Sequence, residues 1–309
     1  MRRFLALVTA LVLVPASVAW GAELDELLER SRHASYSAEQ IISCSTPDGV
    51  RDAVVRIAQA GGDIRVGSAV TEEVEVFSGD GYWTLSRGDG VVTSAAVVDA
   101  EEFQAPDYEV QEAGRRFLLG RSATAYRLLR DGILRAELVF DNALGAMVMA
   151  TTFDADGGIY CQRRFVSLDT TPPVFPEEPV QAGPDSEIRP VVEIGTNPPE
   201  FVAGFQRLDL YEDEEGFRFA YYSDGFFSFA VFETPTKVTL PDGVSAEVGG
   251  DTYERSFTAG QATYVWETLT GGMALVGDLP PDLHEEVLAA LPQPQAPGLF
   301  RRLWRRLFG

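Results

Sequence analysis

Histidine and lysine are nearly missing from this 309-residue chain: His33, His284 and Lys237 are the whole supply. That scarcity argues against lysine-based and histidine-based catalysis, and no Gly-x-Ser-x-Gly elbow occurs. Positive charge is short throughout, with 25 Lys and Arg against 47 Asp and Glu and a formal charge of −22. Nucleic acid is excluded as a partner, because phosphate binding relies on Lys and Arg. Cysteine is limited to Cys44 and Cys161, with no histidine cluster to complete a zinc site. No apolar run reaches the ~20 residues that span a bilayer.

What is present is ordinary for a folded protein: 45% apolar and 23% charged residues, at a length that predicts two domains. The charge is unevenly placed. Six arginines sit at the extreme ends (Arg2, Arg3, Arg301, Arg302, Arg305, Arg306), leaving 19 positive against 47 negative side chains, a body of −28.

Arg2-Arg3 precedes an apolar run from Phe4 to Val14, and Pro15 and small residues through Ala22 follow. This pattern predicts a secretory signal peptide over residues 1–22, with cleavage after Ala19, Gly21 or Ala22. A core helix or uncleaved anchor is the alternative. Export would place the protein in the periplasm or cell envelope, where Cys44 and Cys161 form a disulfide candidate. Two buried free thiols are the other reading.

Eight of the 18 prolines fall between Pro172 and Pro199, which excludes a central strand or an unbroken helix there. The expected organisation is a first domain over 23–168, an extended linker over 169–199, a second domain over 200–292 and a tail over 293–309. The first domain opens with a helix from Glu23 to about Ser35, with His33 on its surface. Strand-like runs follow at 37–44, 50–58, 63–70, 74–78, 82–86, 91–98, 124–130, 133–140, 147–153 and 159–168. In the second domain they fall at 206–211, 217–223, 226–232, 237–240, 253–258, 261–268 and 272–277. A helix over 280–291 closes it, with His284 beside two glutamates and read as solvated. The fold class is therefore α+β, mostly antiparallel β. A long first sheet that curves partly around an apolar cavity is expected, followed by a smaller β-rich domain with a C-terminal helix.

The acidic turn Glu212–Glu215 reads as solvated in preference to a glycosidase pair. Asp154 and Asp156 do not complete an oxygen-ligand set for calcium. The Gly-rich pairs lack the phosphate-loop pattern. No enzyme, metal or cofactor is expected; what remains is binding. Tyr82, Trp83, Phe117, Phe140 and Phe153 are candidates to line a ligand cavity, with core packing as the alternative. Tyr222, Phe226 and Phe227, around a Tyr-Ser-Asp-Gly turn, are candidates to anchor a partner segment. In the tail, Leu299, Phe300, Leu303, Trp304, Leu307 and Phe308 interleave with four arginines. One helical face is apolar and the other purely Arg, the pattern of an interfacial helix on anionic lipid. Arg301, Arg302, Trp304, Arg305 and Arg306 are thus membrane-contact candidates; docking on the acidic body or a disordered end are the alternatives. Self-association is left open.

Several segments stand in a telling order. Tyr108-Glu-Val-Gln-Glu-Ala-Gly-Arg-Arg-Phe-Leu-Leu-Gly-Arg precedes Arg135-Ala-Glu-Leu-Val-Phe-Asp141, Gly145-Ala-Met-Val-Met and Phe153-Asp-Ala-Asp-Gly157. Gly204-Phe, Tyr222-Ser-Asp-Gly-Phe-Phe-Ser-Phe-Ala-Val-Phe232 and Leu275-Val-Gly-Asp-Leu-Pro280 come later. This order, across two domains and a Pro-rich linker, resembles the MucB/RseB family of extracytoplasmic regulators of envelope-stress sigma factors. The resemblance implies an N-terminal domain similar to the lipoprotein carrier LolA, a curved antiparallel sheet with helices, and a smaller β-rich C-terminal domain. It implies binding and protection of a membrane-spanning anti-sigma factor, with amphiphiles as displacing signals. A periplasmic lipid or lipoprotein carrier is the alternative. The strongly acidic body and the basic tail stand outside the resemblance.

Overall fold

The computed structural model describes residues 20–47, 49–60, 63–68, 74–77, 82–87, 90–95, 108–174, 189–190, 198–212, 218–240, 243–258, 261–269 and 271–295. Helix α1 (Trp20–Arg32) leads into β1 (Tyr36–Thr46), β2 (Gly49–Ala60), β3 (Asp63–Ser68), β4 (Val74–Phe77), β5 (Tyr82–Arg87) and β6 (Gly90–Ala95). Then come β7 (Glu109–Leu118), β8 (Arg121–Arg130), β9 (Ile133–Asp141), β10 (Met147–Phe153) and β11 (Ile159–Asp169). These strands form one antiparallel sheet in the order β6-β5-β4-β3-β2-β1-β11-β10-β9-β8-β7. It is two meanders fused where the first strand meets the last: β1 runs outward to β6, and β7 winds back to β1. The seam of that fusion carries the pair Cys44↔Cys161 in register, and the two sulfurs are bonded.

The second sheet contains β12 (Arg189–Pro190), β13 (Phe201–Val202), β14 (Phe205–Glu212), β15 (Arg218–Ser223), β16 (Ser228–Thr234), β17 (Val244–Val248), β18 (Asp251–Thr258), β19 (Gln261–Glu267) and β20 (Gly272–Gly277). Its order is β12-β14-β15-β16-β20-β19-β18-β17, with β13 beside β14. Helix α2 (Pro281–Ala290) follows. Its Leu283, Val287 and Leu288 pack against Phe205, Tyr222, Phe229 and Leu275 of the sheet. Each such side chain removed from water contributes roughly 1.5–3 kcal/mol. The sequence-expected class, α+β and mostly antiparallel β, is the observed one.

Helix α1 lays Leu27 and Leu28 on a cluster that includes Val110, Leu128, Leu138 and Phe140. It ends at Arg32 because its last carbonyls find a partner elsewhere. The buried Gln59 amide donates to Ser31 O at 2.5 Å and Arg32 O at 2.6 Å, and Gln59 Oε1 accepts the Tyr36 hydroxyl at 3.0 Å. Helix-terminal carbonyls left without such donors are costly when buried. Gly145, at φ 79°, lets the β9–β10 turn approach; a Cβ there would lie 2.7 Å from Arg30 Cγ.

Four departures from the sequence reading have local causes. The helix begins at Trp20, before the expected Glu23. β7 and β17 fall outside the expected strands: β7 lies on a sheet edge and its charged residues, at 109, 112, 115 and 116, do not alternate, and β17 is short and largely exposed. Residues 237–240 form no strand: prolines 235 and 241 flank them, and Leu240 N donates to Glu254 Oε1 at 3.2 Å instead of to a ladder. The run expected from Phe226 starts at Ser228, since Phe226 and Phe227 belong to a turn.

Candidate functional site

The turn Ser223–Phe227 is closed by side chains. Asp224 Oδ1 accepts the backbone N–H of Phe226 at 3.0 Å and of Phe227 at 2.7 Å, while Ser223 Oγ accepts Gly225 N at 3.0 Å. Gly225 supplies the positive φ the turn requires, 89°. The other oxygen reaches the first sheet: Asp224 Oδ2 accepts Tyr108 Oη–H at 2.7 Å and Arg130 Nη1–H at 3.0 Å. Asp224 is fully buried. Burial pushes its carboxyl up, and the hydrogen bonds from Tyr108, Phe226 and Phe227 and the charge of Arg130 pull against that. Burial, then the neighbouring Asp224 charge, pushes the Tyr108 phenol far up. The Arg130 guanidinium lies 5.7 Å from the centre of the Phe205 ring, and Tyr108 meets Phe226 edge-on at 6.1 Å.

Two further ion pairs cross between the sheets. Arg135 Nη1 donates to Asp282 Oδ2 at 2.5 Å, and Arg163 Nη2 to Asp278 Oδ2 at 2.7 Å. In all three of these pairs the cation comes from the first sheet and the anion from the second-sheet side. A chain short of positive charge thus spends three arginines on this seam.

His284 lies beside it. Expected as solvated, it is instead 2% exposed, with its ring centred 5.2 Å from that of Tyr264. His284, Val287, Leu288 and Leu291 follow the i, i+3, i+4, i+7 spacing of the buried face, and the exposed side carries Glu285 and Glu286. Burial holds the imidazole down at about 4. His33, by contrast, is exposed and 2.7 Å from Glu29.

A cavity of about 370 Å³ opens on the first sheet, walled by Leu118, Leu119, Val148, Met149, Phe165 and Val166, with Gln162 and Arg164 as polar members. In a flat sheet β7 and β11 would stand about 19 Å apart. Their shared cavity means that the sheet bends strongly. The β7–β8 turn that overhangs it holds Leu119 at φ 54° and Gly120 at φ 74°, an arrangement that costs a leucine roughly 1–2 kcal/mol.

The expected cavity aromatics are not these residues. Phe140 is core, edge-on to Tyr126 at 5.9 Å; Phe117 is 74% exposed; Phe153 is half-buried and lines no described cavity. The side chains of Tyr82 and Trp83 lie outside the described residues. The lining residues carry a weak sequence signal, since Val148 and Phe165 sit in alternating strands that also serve the core. Tyr222 and Phe227 are buried in the second sheet's own core, and Phe226 packs on Tyr108. A second groove, of about 400 Å³, is bordered by Lys237, Ser245, Tyr253, Glu254, Trp266 and Glu267. The tail candidates Arg301, Arg302, Trp304, Arg305 and Arg306 lie outside the described residues, as do residues 1–19 and most of 169–199.

Among the described residues no group of three or more His, Cys, Asp or Glu is placed to hold a metal ion. No helix there is long and apolar enough to cross a membrane.

No family model and no curated protein matches the chain. Solved structures do. A chain of the Pseudomonas aeruginosa MucA/MucB complex aligns with 18% identity over 88% of this chain and 98% of its own length, at a TM-score of 0.52. A crystal structure of MucB aligns with 17% identity over 89% of this chain and 98% of its own, at a TM-score of 0.50. Along nearly its whole length, the chain has a MucB-like fold.

Proposed function

We propose that this chain is a non-enzymatic regulator that works outside the cytoplasm. It binds the extracytoplasmic part of a membrane-spanning anti-sigma factor, shields it from proteolysis, and so controls an envelope-stress sigma factor. The observation that carries this reading is the chain-long likeness to MucB, one of whose solved forms is the complex with MucA. The bonded Cys44–Cys161 pair supports an oxidising compartment, in keeping with a signal peptide over residues 1–22. The same reading divides the mature chain into a LolA-like domain (23–168), a linker (169–199), a C-terminal domain (200–292) and a tail (293–309). A protease-protection assay tests it. The purified outer part of a one-span anti-sigma factor from the same genome should be cleaved more slowly with this chain present. Unchanged cleavage contradicts the proposal.

The basic tail contacts the membrane surface on this reading, through Arg301, Arg302, Trp304, Arg305 and Arg306. Full-length protein should sediment with anionic vesicles, and a chain ending at Pro294 should not; equal binding removes the tail from the account.

A second reading, a periplasmic lipid or lipoprotein carrier, is favoured by the apolar cavity against β10 and β11. Native mass spectrometry of the purified protein separates the two. A bound amphiphile lost in Val148→Trp supports the carrier, and its absence from the unsubstituted protein counts against it.

A further inference from the structure

Positive charge, scarce in this chain, gathers at one end of the first sheet. Between Glu112 and Asp131 there is no acidic residue, while Arg115, Arg116, Arg121, Arg127 and Arg130 all fall there. Most of that charge is answered. Arg116 and Arg127 share Glu137 at 3.4 and 3.5 Å, Arg121 holds Asp141 and Arg130 holds Asp224. Arg115 of β7 and Arg164 of β11 are not answered. Both are exposed, and among the described residues neither has an ion-pair or hydrogen-bond partner for its side chain.

Strand β7 is also a free edge. It ends the eleven-stranded sheet, and among the described residues only β8 pairs with it. Its first half is guarded as edges commonly are, by Glu109, Glu112 and a bulge between Glu112 and Gly114. Its second half is regular from Arg115↔Thr124 to Leu118↔Arg121 and carries Phe117, 74% exposed. An edge built only to repel other strands does not display a bare phenylalanine. Alternation puts Arg115 and Phe117 on one face and Arg116 and Leu118 on the other. On the Leu118 face lies the cavity of about 370 Å³, with Leu118, Leu119 and Met149 in its wall and Arg164 as its cationic member.

An unpaired strand edge, an apolar cavity beside its end and two partnerless arginines thus meet at one place. Main-chain hydrogen bonds along an edge supply affinity for an extended peptide, and a pocket beside it selects alternate side chains. We propose that the Arg115–Leu118 edge is a docking site for an extended protein segment in which acidic and apolar residues alternate. The segment adds as a strand to β7, sets an apolar side chain in the cavity beside Leu118, and turns its carboxylates to Arg115. Arg164 adds a second positive charge at the cavity. The rest of the body, at −28 once the terminal arginines are set aside, repels such a segment and focuses it on this edge. The chain's own basic residues 299–308 carry the wrong charge for the site.

The inference goes beyond the proposed function, and a synthetic probe lets either fail alone. The probe is a short, acetylated, fluorescein-labelled peptide of alternating glutamate and leucine, followed by anisotropy at neutral pH. The protein is the full mature chain carrying Arg301→Gln, Arg302→Gln, Arg305→Gln and Arg306→Gln, which removes the tail's own attraction for acid. Binding should saturate and weaken with added salt. Arg115→Glu and Arg164→Glu should each weaken it at least about fivefold, and neither variant breaks a contact the fold uses. Leu119→Asn keeps a residue that tolerates the left-handed turn but makes the overhang polar, and should weaken binding as well. Arg56→Gln, at an exposed cation paired with Glu39 elsewhere on the sheet, should change it less than about twofold. Amides of 115–119 that point outward from the edge should exchange more slowly with the peptide bound. Three results would each overturn the proposal: no saturable binding below about 1 mM, equal binding by the two charge reversals, and equal binding of a glutamate–glycine peptide. Uptake of sodium laurate by a chain that ignores the peptide would overturn it too, and give the cavity to a lipid.

Discussion

Tyr108 and Asp224 are 116 residues apart in sequence, and the tyrosine hydroxyl donates to the wholly buried carboxylate at 2.7 Å. The same oxygen takes Arg130 at 3.0 Å. One side chain therefore closes a turn on its own sheet and anchors two residues of the other.

Removing that carboxylate strands a cation. Asp224→Ala should cost about 3–5 kcal/mol, because Arg130 keeps its charge in a site only 16% exposed. Tyr108→Phe should cost about 1 kcal/mol, since Arg130 still serves the same oxygen. Urea unfolding of both variants and their double mutant checks this. The double mutant should be little worse than Asp224→Ala alone; strict additivity would mean that the two residues do not interact.

Asp141 should set part of the acid limit. Its carboxyl is buried, which alone would raise its proton affinity. Arg121 Nε and Nη2 at 2.6 and 3.0 Å, with Leu144 and Ala143 N–H groups, outweigh this and hold it below the usual 3.8. A carboxyl held low contributes stability that is present above its unfolded value and lost as pH falls through its folded one. Arg121→Gln should cost about 3 kcal/mol at pH 7 and move the acid-unfolding midpoint to higher pH. An unmoved midpoint would show that the pair carries no such linkage.

The Cys44–Cys161 bond joins residues separated by 117 positions. Closing a loop that long restricts the unfolded chain by about 5 kcal/mol in the entropy model. Chemical unfolding of the double Cys→Ala variant should show a loss of that order with little change in the native near-UV spectrum. A loss under 1 kcal/mol would mean that the pair contributes little to stability.

Leu119 sits in a left-handed conformation at a turn. Leu119→Gly should raise the unfolding free energy by about 0.5–1 kcal/mol as backbone strain is relieved. If the cavity it overhangs holds an apolar ligand, the same change should weaken uptake of a hydrophobic fluorescent probe. Destabilisation by the glycine would show that the side chain's packing outweighs the strain.

Much of the fold was legible in local pattern. Alternation and turn residues located strands such as β9 and β10 to within a residue or two, since half-buried antiparallel strands write period two into the sequence. Strand β7 was illegible for the same reason: on a sheet edge half of its positions are exposed and only Val110 is buried, so the apolar signal fades. The seam could not be read at all. Arg130, Arg135 and Arg163 resemble any exposed arginine until the fold brings Asp224, Asp282 and Asp278 to them. His284 was legible in principle, since it shares the spacing of Val287, Leu288 and Leu291, but the neighbouring glutamates masked it. Tyr222 and Phe227 carry the same sequence signal as anchors for a partner, because aromatic density at a turn looks the same whether a second protein or the chain's own core receives it.

The central claim, that this chain grips the outer part of an anti-sigma factor, is tested most directly by titration calorimetry between the two purified proteins. The account predicts saturable binding at a fixed ratio to the outer part of a one-span anti-sigma factor from the same genome. The absence of heat and of a complex on gel filtration at micromolar concentration would contradict it.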